Sequence, residues 1–543
     1  MIKKTREYVI YAVIIALQLA VMLYWASAKT NYFIDELYSF ERAVSYSGQG
    51  NSSYYIQLTP DWKMNEWMSN AELKKYLIVS KEEHLLNLPF LKWLKLLFKG
   101  RSYNGLLNIA MSLAGYSIIT SRPGIALNMI FFILAEIFLL RLITRLKMSA
   151  PSKAFALAMF GFSGYVIGIV EYIRFYSLVI WLLLVILNLY HVVWSQDKLP
   201  TIIAGVVGIY VLIFFSYNHT ELTIPYFGAM SVCFIIGLIR TKKWKQVISY
   251  SGFMLLGGIY VISSTDYLQA VLNPAEYTGS SVVSRIAENL LHPSFDAISY
   301  YFTFLKGVFA GYYFGHSGLL ALAVITVLLY LIFAYKVVTI DFRKLKMGSD
   351  SAFILVIAIA AIIYTMFAAI EDFSDGGSRY NFFNFVCATI VFWYIVDRLT
   401  VKIEPEGIRK RTFGIIAFWI LIIALMPFVT RNVEYIYESD ADFKARIEQH
   451  SDEDVVLYVK DLDGDITNHE LYDCVHQMPD ESSIFAVDLL TYQYDKVAYP
   501  DSFVLWSKDG YDLDLVISDL RESGYSIEDL GVNHVSCAYY VTR

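Results

Sequence analysis

An acidic pair, Asp35 and Glu36, stands in the run Tyr32-Phe33-Ile34-Asp35-Glu36-Leu37-Tyr38, shortly after the first long hydrophobic segment. Further along come Glu171 with Arg174 and Tyr176, His219 with Glu221, the acids Glu371, Asp372 and Asp375, and Arg379 with Tyr380. These residue types suit one kind of chemistry. A carboxylate can take the proton from an attacking hydroxyl. The planar forks of Arg174 and Arg379 can bind a phosphate bidentately and stabilise the charge that grows on it as it leaves. A phosphate departs without a strong acid, so a carboxylate and an arginine pair suffice in principle for transfer from an anionic, membrane-resident donor. Taken singly, each residue has a plainer role. Asp35 and Glu36 could mark the polar end of a membrane helix, Glu171 and Arg174 at i, i+3 could form a local pair worth about 0.2–0.5 kcal/mol, His219 could cap a helix, and Arg379 could anchor at the interface.

The chemistry therefore depends on the elements that would gather these side chains. Of 543 residues, 57% are hydrophobic and 17% charged, which excludes a soluble globular domain and fits an all-α polytopic membrane protein. The net charge of −6 is unevenly spread: residues 431–543 carry 25 acidic and 8 basic residues, a net −17, leaving +11 on residues 1–430. Such a split implies two compartments, and so apolar a chain gives no nucleic-acid reading to pursue. Met1 to Arg6 is short and basic, and Tyr8 to Ala28 is long enough to span. Bulky Tyr24 and Trp25 stand where a cleavage site would be, which predicts an uncleaved anchor with a cytoplasmic N-terminus.

About eleven apolar runs have spanning length: 8–28, 122–143, 153–169, 176–194, 201–217, 222–239, 247–263, 318–335, 353–370, 382–396 and 413–429. Counting them in order places the basic clusters, such as Arg240, Lys242, Lys243 and Lys245, always on the side assigned to the cytoplasm. The same count puts the acidic pair, Glu171, Arg174, Tyr176, His219, Arg379 and Tyr380 on the opposite face, where they are expected to share one outward-opening cavity. Glu136 differs: at 1.5 Å per residue it lies roughly 21 Å along the helix from Arg122, near the cytoplasmic end, so packing or pairing with Arg141 is expected. Residues 29–116 form a first exterior loop, in which Glu66 to Lys75 and Asn87 to Phe98 read as helices in the interface plane, sheltering the acidic pair.

Residues 431–543 contain no span and read as a small extracytoplasmic α/β domain. Strands are expected at Val455 to Val459, Ile484 to Val487, Phe503 to Trp506 and Ala538 to Val541, with a helix from Leu513 to Ser523 closed by Gly524. Asp461, Asp463 and Asp465 suggest a calcium loop, but Ile466 and Tyr472 occupy the positions needing glycine and glutamate, so an Asp-Gly turn is the better reading. Cys474 and Cys537 share this tail and could pair if it is exported, whereas Cys233 and Cys387 lie in apolar segments.

The order of these elements resembles a known family. Asp-Glu after the first span, Arg174-Phe175-Tyr176 opening a span, Ser216-Tyr217-Asn218-His219 after a later one, and Arg379-Tyr380 opening a late one are similar to the GT-C integral-membrane glycosyltransferases. The nearest branch is the bacterial one related to protein O-mannosyltransferases and the lipid A aminoarabinose transferase. The likeness covers residues 8–430 of an expected transmembrane domain at residues 1–430; the His-Pro-Pro-Leu-Tyr-Tyr element many relatives carry before the second span has no good match. It implies a polyprenyl-phosphate-linked sugar donor, inverting transfer of a hexosyl or pentosyl group on the exterior face, and Asp35 as general base. Glu36 would orient the acceptor or a divalent cation, and Arg174, Tyr176, Arg379 and Tyr380 would hold the donor phosphate, with Glu171 and His219 completing the substrate site. The acceptor would be a glycan, lipid or protein of the cell envelope. Rival readings are a transporter of a lipid-linked saccharide or organic anion, for which no internal repeat is found, a GT-C-like membrane assembly protein without activity, and a sensor acting through the acidic tail.

Overall fold

In the computed structural model, residues 2–44, 64–79, 102–115, 119–220, 222–264, 299, 302–303, 322–323, 326, 330, 349–375, 378–401, 406–431, 433–460, 469–494, 497 and 499–543 are described. They form two compact units. One comprises Met1–Met22, Met129–Val170 and Phe175–Val433; the other comprises Leu23–Asn128, Glu171–Arg174 and Glu434–Arg543.

The first unit is helical. Among the described residues, seven helices are long and apolar enough to cross a membrane: Thr5–Ala28, Arg122–Arg145, Tyr176–Ser195, Leu199–Tyr217, Thr223–Arg240, Arg379–Thr400 and Glu406–Thr430. The pair Ala150–Phe162 and Gly164–Glu171, bent by 52°, makes an eighth if it is one span. This is the architecture of a multi-pass membrane protein. Two further expected spans, 247–263 and 353–370, fall in the helices Trp244–Ser264 and Ser349–Asp375; the one at 318–335 lies almost wholly outside the described residues. Tyr176–Ser195 is the hub, with 78% of its apolar window buried against 22% for Glu406–Thr430, and it packs on Leu199–Tyr217 and Phe382–Thr400. Leucines and valines left exposed on the outer helices, such as Leu421, Leu425 and Val429, suit contact with lipid.

The 52° bend has a local cause. Ser163 is extended (φ −66°, ψ 138°) and its Oγ accepts from Val166 N at 3.2 Å, so it ends one helix and caps the next. The short second helix delivers Glu171, and with it the turn that leads to Arg174. Glu136 is fully buried, and among the described residues it makes no ion pair with Arg141, whose guanidinium lies over the Phe138 ring instead.

The second unit is built on a six-stranded sheet. Its strands are β1 (Trp67–Ser69), β2 (Val455–Val459), β3 (Ser483–Asp488), β4 (Ser502–Lys508), β5 (Ser526–Val532) and β6 (Ser536–Thr542), in the order β1-β3-β2-β4-β6-β5. β2 runs parallel to both β3 and β4, and the remaining pairs are antiparallel. All five residues of β2 are buried, as a central strand covered on both faces must be. One face carries a core of Val456, Tyr458, Phe503, Leu505 and Val541 with Val516 and Leu520 of the helix Asp514–Glu522. The helix His469–Gln477 packs on β2 and β4, and also on the helices Ile34–Val44 and Asn70–Lys74.

Two expectations change here. Glu66 to Lys75 is not one continuous helix: Trp67, Met68 and Ser69 pair with Phe485, Ile484 and Ser483 as an edge strand of the C-terminal sheet, and only Asn70–Lys74 is helical. Asn70 fixes the junction, its Nδ2 donating to the carbonyls of Val475 (3.2 Å), Met478 (2.9 Å) and Pro479 (2.9 Å). Cys474 and Cys537 do not pair. Both are free and buried, Cys537 belonging to the core beneath Leu513, Val516 and Leu520, of which Cys474 is not a member. The segment Asn87 to Phe98 and the Asp461 to Asp465 turn lie outside the described residues.

Candidate active site

The helix Ile34–Val44 begins just after the first span, and Glu36 is the residue that sets it. At the third helical position its Oε2 accepts from the backbone N–H of Phe33 at 2.8 Å, satisfying a donor the helix start leaves unpaired. Oε1 accepts from Ile173 N at 2.8 Å, and Lys29 Nζ lies 3.0 Å from Oε2 with both side chains buried. Burial pushes the Glu36 pKa up, opposed by the Lys29 ammonium and by the two N–H donors. Lys29 also donates to the Tyr435 carbonyl, and Thr30 donates through N to Ile436 O (3.0 Å) and through its hydroxyl to Tyr437 O. Glu36 thus ties three distant segments together: 29–36, 171–174 and 435–437.

That clamp positions Asp35, one residue earlier and turned toward a less buried side. Asp35 Oδ2 accepts from the Tyr172 hydroxyl at 2.8 Å, and Oδ1 stands 3.5 Å from Arg174 Nη2. The Asp35 side chain retains 19% exposure and that of Arg174 13%, while Glu36 has none. Arg174 Nη1 also reaches the Asp35 carbonyl (3.2 Å) and Ser39 Oγ (3.4 Å), so the guanidinium lies along the first turn of the helix. Glu171 is fully buried, and neither of its carboxylate oxygens has a hydrogen-bond partner among the described residues. The charges acting on it are those of Lys29 and Glu36.

The other four candidates belong to the helical unit. The turn Ser378–Asn381 leads into Phe382–Thr400; there Arg379 Nη2 donates to Tyr380 Oη at 3.1 Å, with the guanidinium 5.1 Å from that ring's centre. Tyr364 Oη holds the Tyr380 carbonyl at 2.7 Å. Tyr176 meets Phe382 edge-on at 5.4 Å, and its neighbour Phe175 lies 5.9 Å from the His219 ring. Tyr176, His219 and the Arg379-Tyr380 turn therefore share one end of this unit. Burial drives the His219 pKa down to about 3, which leaves a neutral ring able to donate one hydrogen bond but not to bring charge. The side chains of Glu221, Glu371, Asp372 and Asp375 lie outside the described residues.

No protein-family profile matches the sequence, and comparison with curated proteins returns no match. Solved structures do match. ArnT from Cupriavidus metallidurans bound to undecaprenyl phosphate aligns over 97% of this chain and 97% of its own, with TM-score 0.52 at 11% identity. The same protein in the apo state gives 0.51 at 12% identity, again over 97% of both chains. This chain has the ArnT fold. The likeness to the aminoarabinose transferase branch read from a few two- and three-residue elements is thus borne out as a likeness of fold, over 97% of the chain rather than residues 8–430 alone.

Within the ArnT fold two points modify the reading of the acidic pair. Glu36 is buried, faces Lys29, and has both oxygens engaged by N–H donors, while Asp35 faces Arg174 and Tyr172. Among the described residues no group of three acidic, histidine or cysteine side chains could hold a metal ion. The second point is Tyr172, which the Arg-any-Tyr pattern passes over by two residues. Nothing in its type or spacing marks it beside the apolar helix that precedes it. Glu36 could have been recognised as a cap from its position three residues after Phe33.

Proposed function

We propose that this chain is a membrane glycosyltransferase that moves a hexosyl or pentosyl group from a polyprenyl-phosphate donor to a hydroxyl of an envelope glycan, lipid or protein. The acceptor oxygen attacks the anomeric carbon from the face opposite the phosphate, the sugar–phosphate bond breaks, and configuration inverts. Asp35 takes the hydroxyl proton as the new bond forms. Arg174 stabilises the negative charge that grows on the departing phosphate, and the roles of Tyr176, His219, Arg379 and Tyr380 toward the donor phosphate follow the sequence pattern. Glu171 belongs to the substrate site as the sequence pattern implies, and Glu36 acts by holding Asp35 in place. The chain resides in the cell membrane with its N-terminus cytoplasmic and residues 431–543 outside.

The observation that carries this reading is a single partly exposed carboxylate, held by Tyr172 and Arg174, in a fold shared with a protein solved with undecaprenyl phosphate bound. Asp35→Asn changes charge with little change in shape. In cells lacking the gene, the wild-type copy should restore the surface polymer seen by mass analysis, and Asp35→Asn at equal membrane abundance should leave the unused lipid-linked sugar to accumulate. Full restoration by Asp35→Asn would overturn the assignment of the base.

A further inference from the structure

Resting on the reading of Asp35 as base, we propose that Tyr172 is a positioning residue that fixes the orientation and protonation of the Asp35 carboxylate, backed by the ring of Tyr435 from the C-terminal segment. Three independent constraints converge on Tyr172. Its hydroxyl donates to Asp35 Oδ2 at 2.8 Å, while the Arg174 guanidinium, with Nη2 3.5 Å from Oδ1, and the His469 ring are the charged and titratable groups that act on the same carboxylate. Its carbonyl accepts from Asn128 Nδ2 at 2.7 Å, and Asn128 Oδ1 in turn accepts from the buried Tyr103 hydroxyl at 3.1 Å. Its ring is fully buried and stacks on Tyr435 at 3.9 Å with an 8° interplanar angle, while Phe33 closes on both rings edge-on at 6.0 Å.

The backing is itself unusual. Tyr435 (φ 65°) and Tyr437 (φ 56°) both occupy the left-handed region, which bulky side chains seldom enter. Such conformations persist only where the surroundings over-determine them. Here the carbonyls of 435, 436 and 437 all accept from Lys29 and Thr30, and the Tyr435 ring is pinned on Tyr172. The left-handed turn therefore carries the stacked ring to Tyr172, and a ring so held can offer its hydroxyl in one direction only. A hydrogen bond to the charged form of a carboxylate keeps it ionised, which a general base requires, and it selects one rotamer of the side chain that must meet the acceptor.

The test uses the full chain in detergent and dicyclohexylcarbodiimide, which modifies protonated carboxyls. Peptide mass spectrometry reads the fraction labelled at Asp35 as pH is varied. Tyr172→Phe keeps the ring and removes the hydroxyl, and should raise the pH of half-labelling by about one unit while the melting temperature stays within about 2 °C. Tyr435→Leu removes the backing ring and should move the midpoint the same way by less. An unmoved midpoint in Tyr172→Phe overturns the proposal; should that variant fail to fold, Tyr435→Leu decides, a rise supporting it and no movement overturning it. A purely structural role would lower the melting temperature and leave the midpoint in place. Labelling does not depend on turnover, so its outcome is separable from that of Asp35→Asn: polymer restored by Asp35→Asn removes the catalytic reading, and an unmoved midpoint removes only the role of Tyr172.

Discussion

Lys29→Met should be among the most damaging single changes outside the apolar cores, and the reason is the charge it leaves behind. The Lys29 and Glu36 side chains are 1% and 0% exposed and sit 3.0 Å apart. Removing one partner of a buried pair strands the other, at a cost of about 3–5 kcal/mol, whereas removing both charges is often nearly neutral. For a unit of 150–250 residues, roughly 2–4 °C of melting temperature accompanies each kcal/mol. Lys29→Met should therefore melt on the order of 10 °C below wild type in detergent, followed by tryptophan fluorescence. Lys29→Met combined with Glu36→Gln should recover more than half of that loss, because the amide oxygen still accepts from Phe33 N or Ile173 N without a stranded charge. A single variant within about 2 °C of wild type would refute the buried-pair argument. A double variant no better than the single would assign the loss to the Lys29 bond with the Tyr435 carbonyl instead.

Two further outcomes follow from contacts between the first loop and the C-terminal domain. Burial pushes the Glu41 carboxyl up to about 8 although the Tyr472 hydroxyl donates to it at 2.8 Å. The folded state therefore binds a proton that the unfolded chain, titrating near 4.5, has lost, so this contribution is full below about pH 4.5 and is lost as pH rises through 8. It amounts to on the order of 5 kcal/mol. Glu41→Gln should flatten the decline of melting temperature between pH 5 and 9, and equal slopes for variant and wild type would refute this. Asn70→Ala removes the donor shared by three carbonyls after and within the helix His469–Gln477, costing about 1–3 kcal/mol. Hydrogen exchange should rise together at residues 67–70 and 483–485, and unchanged protection in either segment would show that Asn70 does not hold β1 to β3.

What could be read from the sequence divides along a physical line. β2, β3, β4 and β6 were legible because each is a short apolar run whose burial is written in its own residues, as Val455 to Val459 shows. β5 was not: Ser526-Ile527-Glu528-Asp529-Leu530-Gly531-Val532 is an edge strand with a bulge between Asp529 and Gly531, and exposed acids suit an edge that must not pair further. β1 was hidden for the opposite reason, since the polar and aromatic spacing around Trp67 mimics an interfacial helix and its partner strand lies more than four hundred residues away. The site divides in the same way. Asp35 and Arg174 could be proposed because ionisable groups beside apolar spans are costly and so conspicuous. Their supports were invisible, because the Glu36 bond to Ile173 N, the Tyr172 hydroxyl and the Tyr435 ring act through contacts among segments that only folding brings together. The residue type that betrays a base is therefore local information, whereas the geometry that would make it one resides in residues whose types say nothing, and a search for such a site by motif will stop one shell short of what holds it.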